Sequence, residues 1–552
     1  MKTFLLFLAL SLNTNIIAQV FVNTDAIQFP HVFTTAYDTS SFYVINKSST
    51  GILLNLRNIK NVFTLSDTVL TIPPNDSLIV WVRYQPVQNV IDKDIIFISA
   101  NDSAVGLAIN VTGNAYYGDS YDAATFNKYD TELKNALNSL VNNHTSLGYN
   151  LARDKMFMEI DNQKVNGQGA PQNTLECVYT GRKAVGYVDR TDAQNNYNFN
   201  TEHTWPQSNF SEQEPMKSDL FHLFPTDNPA NGIRSNYPFG KVVSNVTWDS
   251  AGSKLGKNYL NQIVFEPRDV HKGNVSRSMF YFITRYPVNY GGFFTQVQED
   301  VFREWNKLDT VDTAELNRNT AIAVYQGKRN PYIDHPEFAD RIYSFFTNTV
   351  HPVFTELNLL PYKINFDSLS INDTTSHSMY IINSGNKSLT IDSITVSDGH
   401  FTLVNYLTQV EAYSAVKTLI SFIPDSAQSY EAVVKVYSGG GFKQIELSGE
   451  GKNSTVNTVD ESSLPARFSL SQNYPNPFNP VTIIRFSTAE RQFVSLRVYD
   501  VLGSEIATLI SDVKNAGNYE ISFDAVNIPS GVYFYKLQAG NFVETKKMML
   551  LK

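Results

Sequence analysis

The chain has 552 residues, too many for one hydrophobic core, so several domains of roughly 100–200 residues each are expected. Hydrophobic residues make up 42% and charged residues 18%, ordinary for folded domains and too apolar for a disordered chain. With 44 Lys and Arg against 53 Asp and Glu, the formal charge of −9 gives no overall basic footprint for nucleic acid, and the single cysteine, Cys177, excludes an intramolecular disulfide framework.

Residues 1–18 read as a secretory leader. Met1-Lys2 precedes an apolar run from Phe4 to Leu10, then come polar Asn13-Thr14-Asn15 and Ala18 before Gln19. The run is far shorter than the roughly 20 residues a membrane helix needs, and no later segment is long enough. The exported chain is therefore expected to carry no membrane span.

Two segments repeat. Tyr43-Val-Ile-Asn46 returns as Tyr380-Ile-Ile-Asn383, and Phe63-Thr-Leu65 returns as Phe401-Thr-Leu403. Pro86 and Pro424 each lie 23 residues past the Phe, and Gly113 and Gly449 close the two copies. Each copy alternates short β-branched and aromatic runs with turn residues, as in Leu78-Ile-Val-Trp-Val-Arg-Tyr84 and Ala432-Val-Val-Lys-Val-Tyr437. The pattern over 20–115 and 360–451 suggests immunoglobulin-like β-sandwiches. Both copies resemble modules of many bacterial surface proteins, related to the cilium-associated type.

Between the copies the period changes. Leu133, Leu137, Leu140 and Val141 share one helical face, as do Val297, Val301, Trp305 and Leu308. Asp312 with Glu315 has the spacing of a capping pair, and Gly327 is placed to stop that helix. Asp334 with Glu337 is expected to start another, with Phe338, Ile342 and Phe345 as its buried stripe. Residues 117–350 are thus predicted as a mostly helical α+β domain between the sandwiches.

A polar stretch over 452–466 reads as a linker, and 467–552 return to strand alternation. Phe468-Ser-Leu-Ser-Gln-Asn-Tyr-Pro-Asn-Pro-Phe-Asn-Pro480 resembles the opening of the type IX secretion C-terminal sorting domain. Val498-Tyr-Asp-Val-Leu-Gly503, Ile528-Pro-Ser-Gly-Val-Tyr533 and the terminal Lys546–Lys552 match its later blocks. The resemblance implies a β-sandwich that addresses its passenger to the type IX machinery, leaving it secreted or attached to the cell surface.

The central region holds three polar blocks: Asn200–Ser208, Ser218–Thr226 and Asn231–Pro238. They are rich in His, carboxylate, Asn and Arg, and carry too few consecutive apolar residues to be expected as core strands. Zinc takes three or four His, Cys or carboxylate ligands; there is no His-Glu-x-x-His, and Cys177 lies 26 residues before His203, so zinc is disfavoured. A hard cation such as Mg²⁺ needs only one or two protein oxygens. Glu202 and the Asn231 amide are the candidates. A neutral histidine takes a proton from water near pH 7, and an arginine holds two phosphate oxygens. His203 and Arg234 are the candidates for those tasks, a set suited to phosphodiester hydrolysis.

These blocks resemble the bacterial endonuclease I family. Its pattern stands here as Glu202-His203-Thr-Trp-Pro206, Asp219-Leu-Phe-His-Leu-Phe-Pro225 and Asn231-Gly-Ile-Arg-Ser-Asn-Tyr237, with Trp305-Asn306 and Gln326–Tyr332 following. The likeness covers about 130–345 and implies a ββα-metal site in which His203 is the general base, and Glu202 and Asn231 are Mg²⁺ ligands. It implies hydrolysis of DNA, with RNA as a second substrate, at low sequence specificity and leaving 5′-phosphates.

Two departures stand out. Phe221 pushes His222 one residue later than the family's usual histidine. The segment between Pro206 and Asp219 is short and holds no arginine, so Arg234 is assigned the phosphate role. His222 is read as a packing residue, Arg318, Arg329 and His335 as helix braces, and Cys177 as a buried free thiol. From Arg234 to Arg285 there are eight basic and three acidic residues, which suggests a local positive groove. The rival readings are a surface adhesin with an inactive nuclease domain and a phosphodiesterase acting on small nucleotides.

Overall fold

A computed structural model of the protein describes residues 20–100, 105–347, 349–453, 465, 467–526 and 528–551. The leader expected over 1–18 and most of the linker expected over 452–466 lie outside the described residues. The chain divides into two units, residues 1–452 and 453–552.

In the first unit, strands Val20–Val22, Asp38–Asn46, Asp76–Tyr84 and Phe63–Leu65 form one sheet. A second sheet runs Ala26–Phe33, Gly106–Tyr116, Ile91–Ala100, Ile52–Arg57 and Val69–Ile72, and the two enclose a core that includes Phe42, Val80, Ile96 and Ile109. The later copy repeats the plan. Leu357–Leu360, Thr375–Asn383, Ser414–Phe422 and Phe401–Leu403 form one sheet, and Lys363–Ser370, Gly441–Lys452, Ser429–Ser438 and Ser393–Val396 the other. In both sandwiches the second sheet contains one parallel pair with a register shift.

The repeated residues have physical reasons to recur. The Asn46 amide donates to the carbonyls of Thr50, Ile72 and Pro73, and Asn383 does the same to Lys387, Val410 and Glu411. Each asparagine ties three backbone oxygens that would otherwise be orphaned at a sheet end. Phe63 stacks on Tyr84 and Phe401 on Phe422, both at 4.7 Å and 20°. A Cβ added at Gly113 would lie 2.4 Å from the Tyr84 ring, and one at Gly449 would lie 2.6 Å from the Phe422 ring. The repeated glycines leave room for those stacked pairs.

The sandwiches meet each other and the central region. Ile95, Phe97 and Ala108 pack with Leu360, Tyr380, Ile382 and Ala415, and Asn110 exchanges two hydrogen bonds with the Ala415 backbone, 2.9 and 2.7 Å long. Buried Arg341 reaches Asn89 of the first sandwich at 2.5 Å, while also donating to the carbonyls of Thr125 and Lys128.

The description of the central domain as mostly helical is corrected. Among the described residues strand outweighs helix, 42% against 21%, and seven strands punctuate the helices of the central region. Its pivot is the helix Asp269–Arg285, buried along nearly its whole length. A three-stranded sheet of Ser244–Ser250, Ser253–Lys257 and Ile263–Glu266 packs Trp248 and Phe265 against that core. Asp130–Val141 buries Leu133, Leu137 and Val141, and Thr313–Gln326 is capped by Asp312 and ended by Gly327 at φ 71°. Two expected helices differ. In Gln296–Leu308 the buried face includes Glu299, whose carboxylate accepts the backbone N–H of Phe345 and Phe346, and Leu308 is exposed. Asp334 ends the short helix Pro331–Asp334 rather than starting one; Phe338, Ile342 and Phe345 are buried from a 3₁₀ turn, Pro336–Arg341, and the residues after it.

The second unit pairs a sheet of Ser469–Leu470, Val481–Thr488 and Gly517–Asp524 with one of Glu505–Lys514, Gln492–Tyr499, Gly531–Ala539 and Phe542–Leu550. Both contribute to a core that includes Ile484, Leu496, Tyr535 and Met548. Among the described residues no helix is long and apolar enough to cross a membrane.

Candidate active site

Each of the first two polar blocks contributes a strand after all. Phe199–His203 pairs antiparallel with Leu223–Asp227, and every residue of the second strand is buried. The expectation that they carry too few apolar residues for the core fails because partners from other elements offset part of their polarity, while Thr201 Oγ1, Glu202 Oε1 and His222 Nδ1 stay buried without a hydrogen bond. The helix Asn228–Arg234 follows directly, capped by Asp227 accepting from the Ala230 N–H at 2.8 Å. Strand, strand and helix thus bring the three blocks together.

Neighbouring strand residues point to opposite faces. Glu202 turns toward Tyr179 and Arg234, and His203 toward His222, Lys217 and Tyr149. On the first face, Arg234 Nε stands 3.1 Å from Glu202 Oε1. The Tyr179 hydroxyl, Glu202 Oε1 and Arg234 Nε are all sealed from solvent without a completed hydrogen bond. Burial pushes the Glu202 carboxyl up to about 6, against the pull of Arg234 and Tyr179.

The remaining Arg234 nitrogens donate to the carbonyls of Thr204 and Ser235, both at 2.7 Å, and its guanidinium stacks on Phe239 at 4.6 Å. The assignment of Arg234 to the phosphate is therefore corrected: its fork is turned inward and largely spent on the protein. Asn231 lies three residues earlier on the same helix, half-buried, and its side-chain amide has no hydrogen-bond partner among the described residues.

On the second face two histidines hang from consecutive carbonyls. His222 Nε2 donates to Met216 O at 2.6 Å, and His203 Nε2 donates to Lys217 O at 3.2 Å. A carbonyl only accepts, so both rings carry their proton on Nε2. His222 Nδ1 is sealed, whereas His203 Nδ1 has no hydrogen-bond partner among the described residues and is open to solvent. Burial, reinforced by the charge His222 can carry, holds His203 well below 6.5, against the bond to Lys217 O. The rings lie 5.3 Å apart, edge to face.

The Phe221 departure now has an account. Phe221 packs on Tyr281 at 4.7 Å, and Asp219 beneath it accepts from Tyr281, Tyr286 and Gln326. Arg318 braces the same turn through the carbonyls of Leu220 and Leu223. These contacts set His222 against His203. Arg329 pairs with Asp334 at 2.6 Å, and Cys177 is a buried free thiol that accepts from the Asp227 N–H.

The positive groove expected over 234–285 is reduced, because five of its eight basic residues are held by carboxylates, Arg234 by Glu202 among them. Arg277, Arg268, Lys272 and Lys241 are paired with Glu315, Glu176, Glu266 and Glu304. Tyr179, Tyr149 and Lys217 were missed as site residues, because only the fold brings them near the blocks.

Among the described residues no three His, Cys, Asp or Glu side chains gather as a metal site. The donors here are instead Glu202 Oε2, which has no hydrogen bond among the described residues and is not sealed as Oε1 is, and the unpartnered Asn231 amide. That set fits a hard cation which keeps most of its water.

Comparison with known families matches residues 129–337 to Endonuclease I and residues 472–551 to the Secretion system C-terminal sorting domain. The Extracellular ribonuclease of Bacillus amyloliquefaciens is 32% identical over 256 residues, 42% of this chain and 82% of that protein. The Extracellular ribonuclease of Bacillus subtilis (strain 168) is 31% identical over 244 residues, 41% of this chain and 78% of its own length. A Periplasmic deoxyribonuclease of Aeromonas hydrophila is 25% identical over 175 residues, 28% of this chain and 70% of its own. With its three blocks folded into one strand–strand–helix unit and relatives matched over most of their length, the chain belongs to the endonuclease I family, an endonuclease fitted with a sorting domain for export.

Proposed function

We propose that this exported endonuclease hydrolyses phosphodiester bonds of DNA, and of RNA as a second substrate, with low sequence specificity and with Mg²⁺ as cofactor, leaving 5′-phosphates. The observation that carries the reading is His203: its Nε2 proton is committed to Lys217 O, and its Nδ1 lone pair is free. Held neutral by burial, the ring accepts a proton from an attacking water at Nδ1. His222 and Lys217 O keep the ring from turning.

Glu202 and Asn231 would hold the cation. When bound, it supplies positive charge to the phosphate and the leaving oxygen. Arg234 aligns the Glu202 carboxylate from behind and is a positioning residue in this reading. Relatives named as ribonuclease and as deoxyribonuclease support both substrates. The immunoglobulin-like sandwiches, which pack on each other and on the catalytic region, are proposed as its rigid mount.

Plasmid DNA and structured RNA incubated with the protein, with Mg²⁺ or with a chelator, test the reading. Cleavage is expected only with the metal, and His203→Ala is expected to lower kcat by about 10²–10⁴-fold. Undiminished turnover by His203→Ala would remove the base assignment. End-labelling of the products decides which end keeps the phosphate.

A further inference from the structure

Tyr149 opens the helix Tyr149–Lys155, and its ring lies 5.6 Å from that of His203. Two cations rest on it: the Arg153 guanidinium at 4.2 Å and the Lys217 ammonium at 5.0 Å. A third, Arg190, is close enough to act on both Tyr149 and Arg153.

These cations differ in what they have left to give. Lys217 pairs with Glu212 at 2.5 Å, and Arg190 pairs with Asp154 at 2.5 Å. Arg153 has no carboxylate partner among the described residues. Its side chain makes one hydrogen bond, from Nη2 to Asn150 Oδ1 at 2.8 Å, and its Nε is sealed without an acceptor. A guanidinium carries five N–H donors in a planar fork, so most of its capacity is unspent. Burial pushes its pKa down, Tyr149 and more weakly the Asp154 carboxylate work against that, and the like charge of Arg190 adds to it. An anion at this place would relieve both the desolvation and the repulsion.

Arg234 is the sole arginine in the three polar blocks. Arg234 is turned inward, and no arginine lies between Pro206 and Asp219. We propose that Arg153, carried on Tyr149 beside His203, grips a phosphate of the bound nucleic-acid chain. The inference rests on the nuclease reading, with His203 at the reacting centre, and adds a substrate contact that lies outside the polar blocks. A charge-assisted fork onto phosphate oxygens is what a guanidinium does best.

The test separates binding from turnover. A fluorescent single-stranded oligonucleotide is titrated with the full chain carrying His203→Ala, in chelator, across a salt series. Arg153→Gln is expected to flatten the slope of log K against log salt by about 0.7, one phosphate contact on a single strand. In the His203 enzyme with Mg²⁺, Arg153→Gln is expected to raise KM about tenfold, and Arg153→Lys to restore the slope because the charge returns. An unchanged slope for Arg153→Gln overturns the proposal, as does a lowered melting temperature in both variants with no change in slope. Absence of cleavage by the unmodified chain would fail the nuclease reading alone, since the binding slope still reports the phosphate contact.

Discussion

Arg234 and Glu202 form an ion pair 3.1 Å long with 2% of each side chain exposed, yet the two facing atoms complete no hydrogen bond. Poor alignment matters in a dry place. Two desolvated charges hold each other by Coulomb attraction there, and removing one leaves the other buried alone.

Arg234→Met is therefore expected to destabilise the fold by about 3–5 kcal/mol. Adding Glu202→Gln to that variant is expected to recover most of the loss, since the stranded carboxylate becomes neutral. Chemical denaturation of the wild type, the single variants and the double variant completes the cycle. Additive losses would show that the pair is not coupled.

A cation held by Glu202 and Asn231 should stabilise the folded chain whether or not substrate is present. At 100 times its Kd, Mg²⁺ is expected to add about 2.7 kcal/mol, seen as a higher melting temperature that chelator reverses. Glu202→Ala and Asn231→Ala should lose the increment. A melting temperature indifferent to Mg²⁺ in the wild type would count against this donor set.

His203 must be neutral to take a proton, and burial with the His222 charge sets its pKa well below 6.5. The acid limb of kcat/KM is thus expected below pH 6.5, with activity flat above it through neutrality. His222→Phe removes one of the charges that lower it and should move that limb toward higher pH. A limb that stays in place would assign it to another group.

His335 links the central region to the segment leaving the first sandwich through Asp119 at 2.8 Å, with Glu337 at 3.2 Å. Burial opposes its charge, but the bonds to Glu337 and Asp119 outweigh that and raise its pKa above 6.5. A raised histidine stabilises the fold fully below its unfolded pKa, and the contribution fades as pH rises through the folded value. The melting-temperature difference between wild type and His335→Gln should therefore be largest in mild acid and shrink as pH rises through the raised pKa, above 6.5. A difference that grows toward alkaline pH would reverse the assignment.

Much of the molecule was legible from spacing alone. Asp312, Glu315 and Gly327 mark a helix because caps are local, and the repeated Asn, Phe and Gly mark two sandwiches because each repeat solves the same packing problem with the same side chains. Polar blocks hid their strands for the opposite reason. A carboxylate or histidine looks solvated in sequence, and only partners from elsewhere, such as Tyr179, Arg234 and the Met216 and Lys217 carbonyls, make it cheap to bury.

Chemistry and address were set by short motifs: Glu202-His203, Asn231 and the C-terminal blocks name a nuclease that is exported, in spite of a net charge of −9. The direction in which each charge faces was decided by tertiary structure alone. Arg234, adjacent to the motif in sequence, is spent on backbone carbonyls and a buried carboxylate, whereas Arg153, some fifty residues before His203, keeps most of its terminal donors unspent beside that histidine's neighbour. Spacing reveals which groups a chain owns; packing determines which of them are still unpaired when a substrate arrives, because an ion pair forms between residues that the fold, not the sequence, makes neighbours.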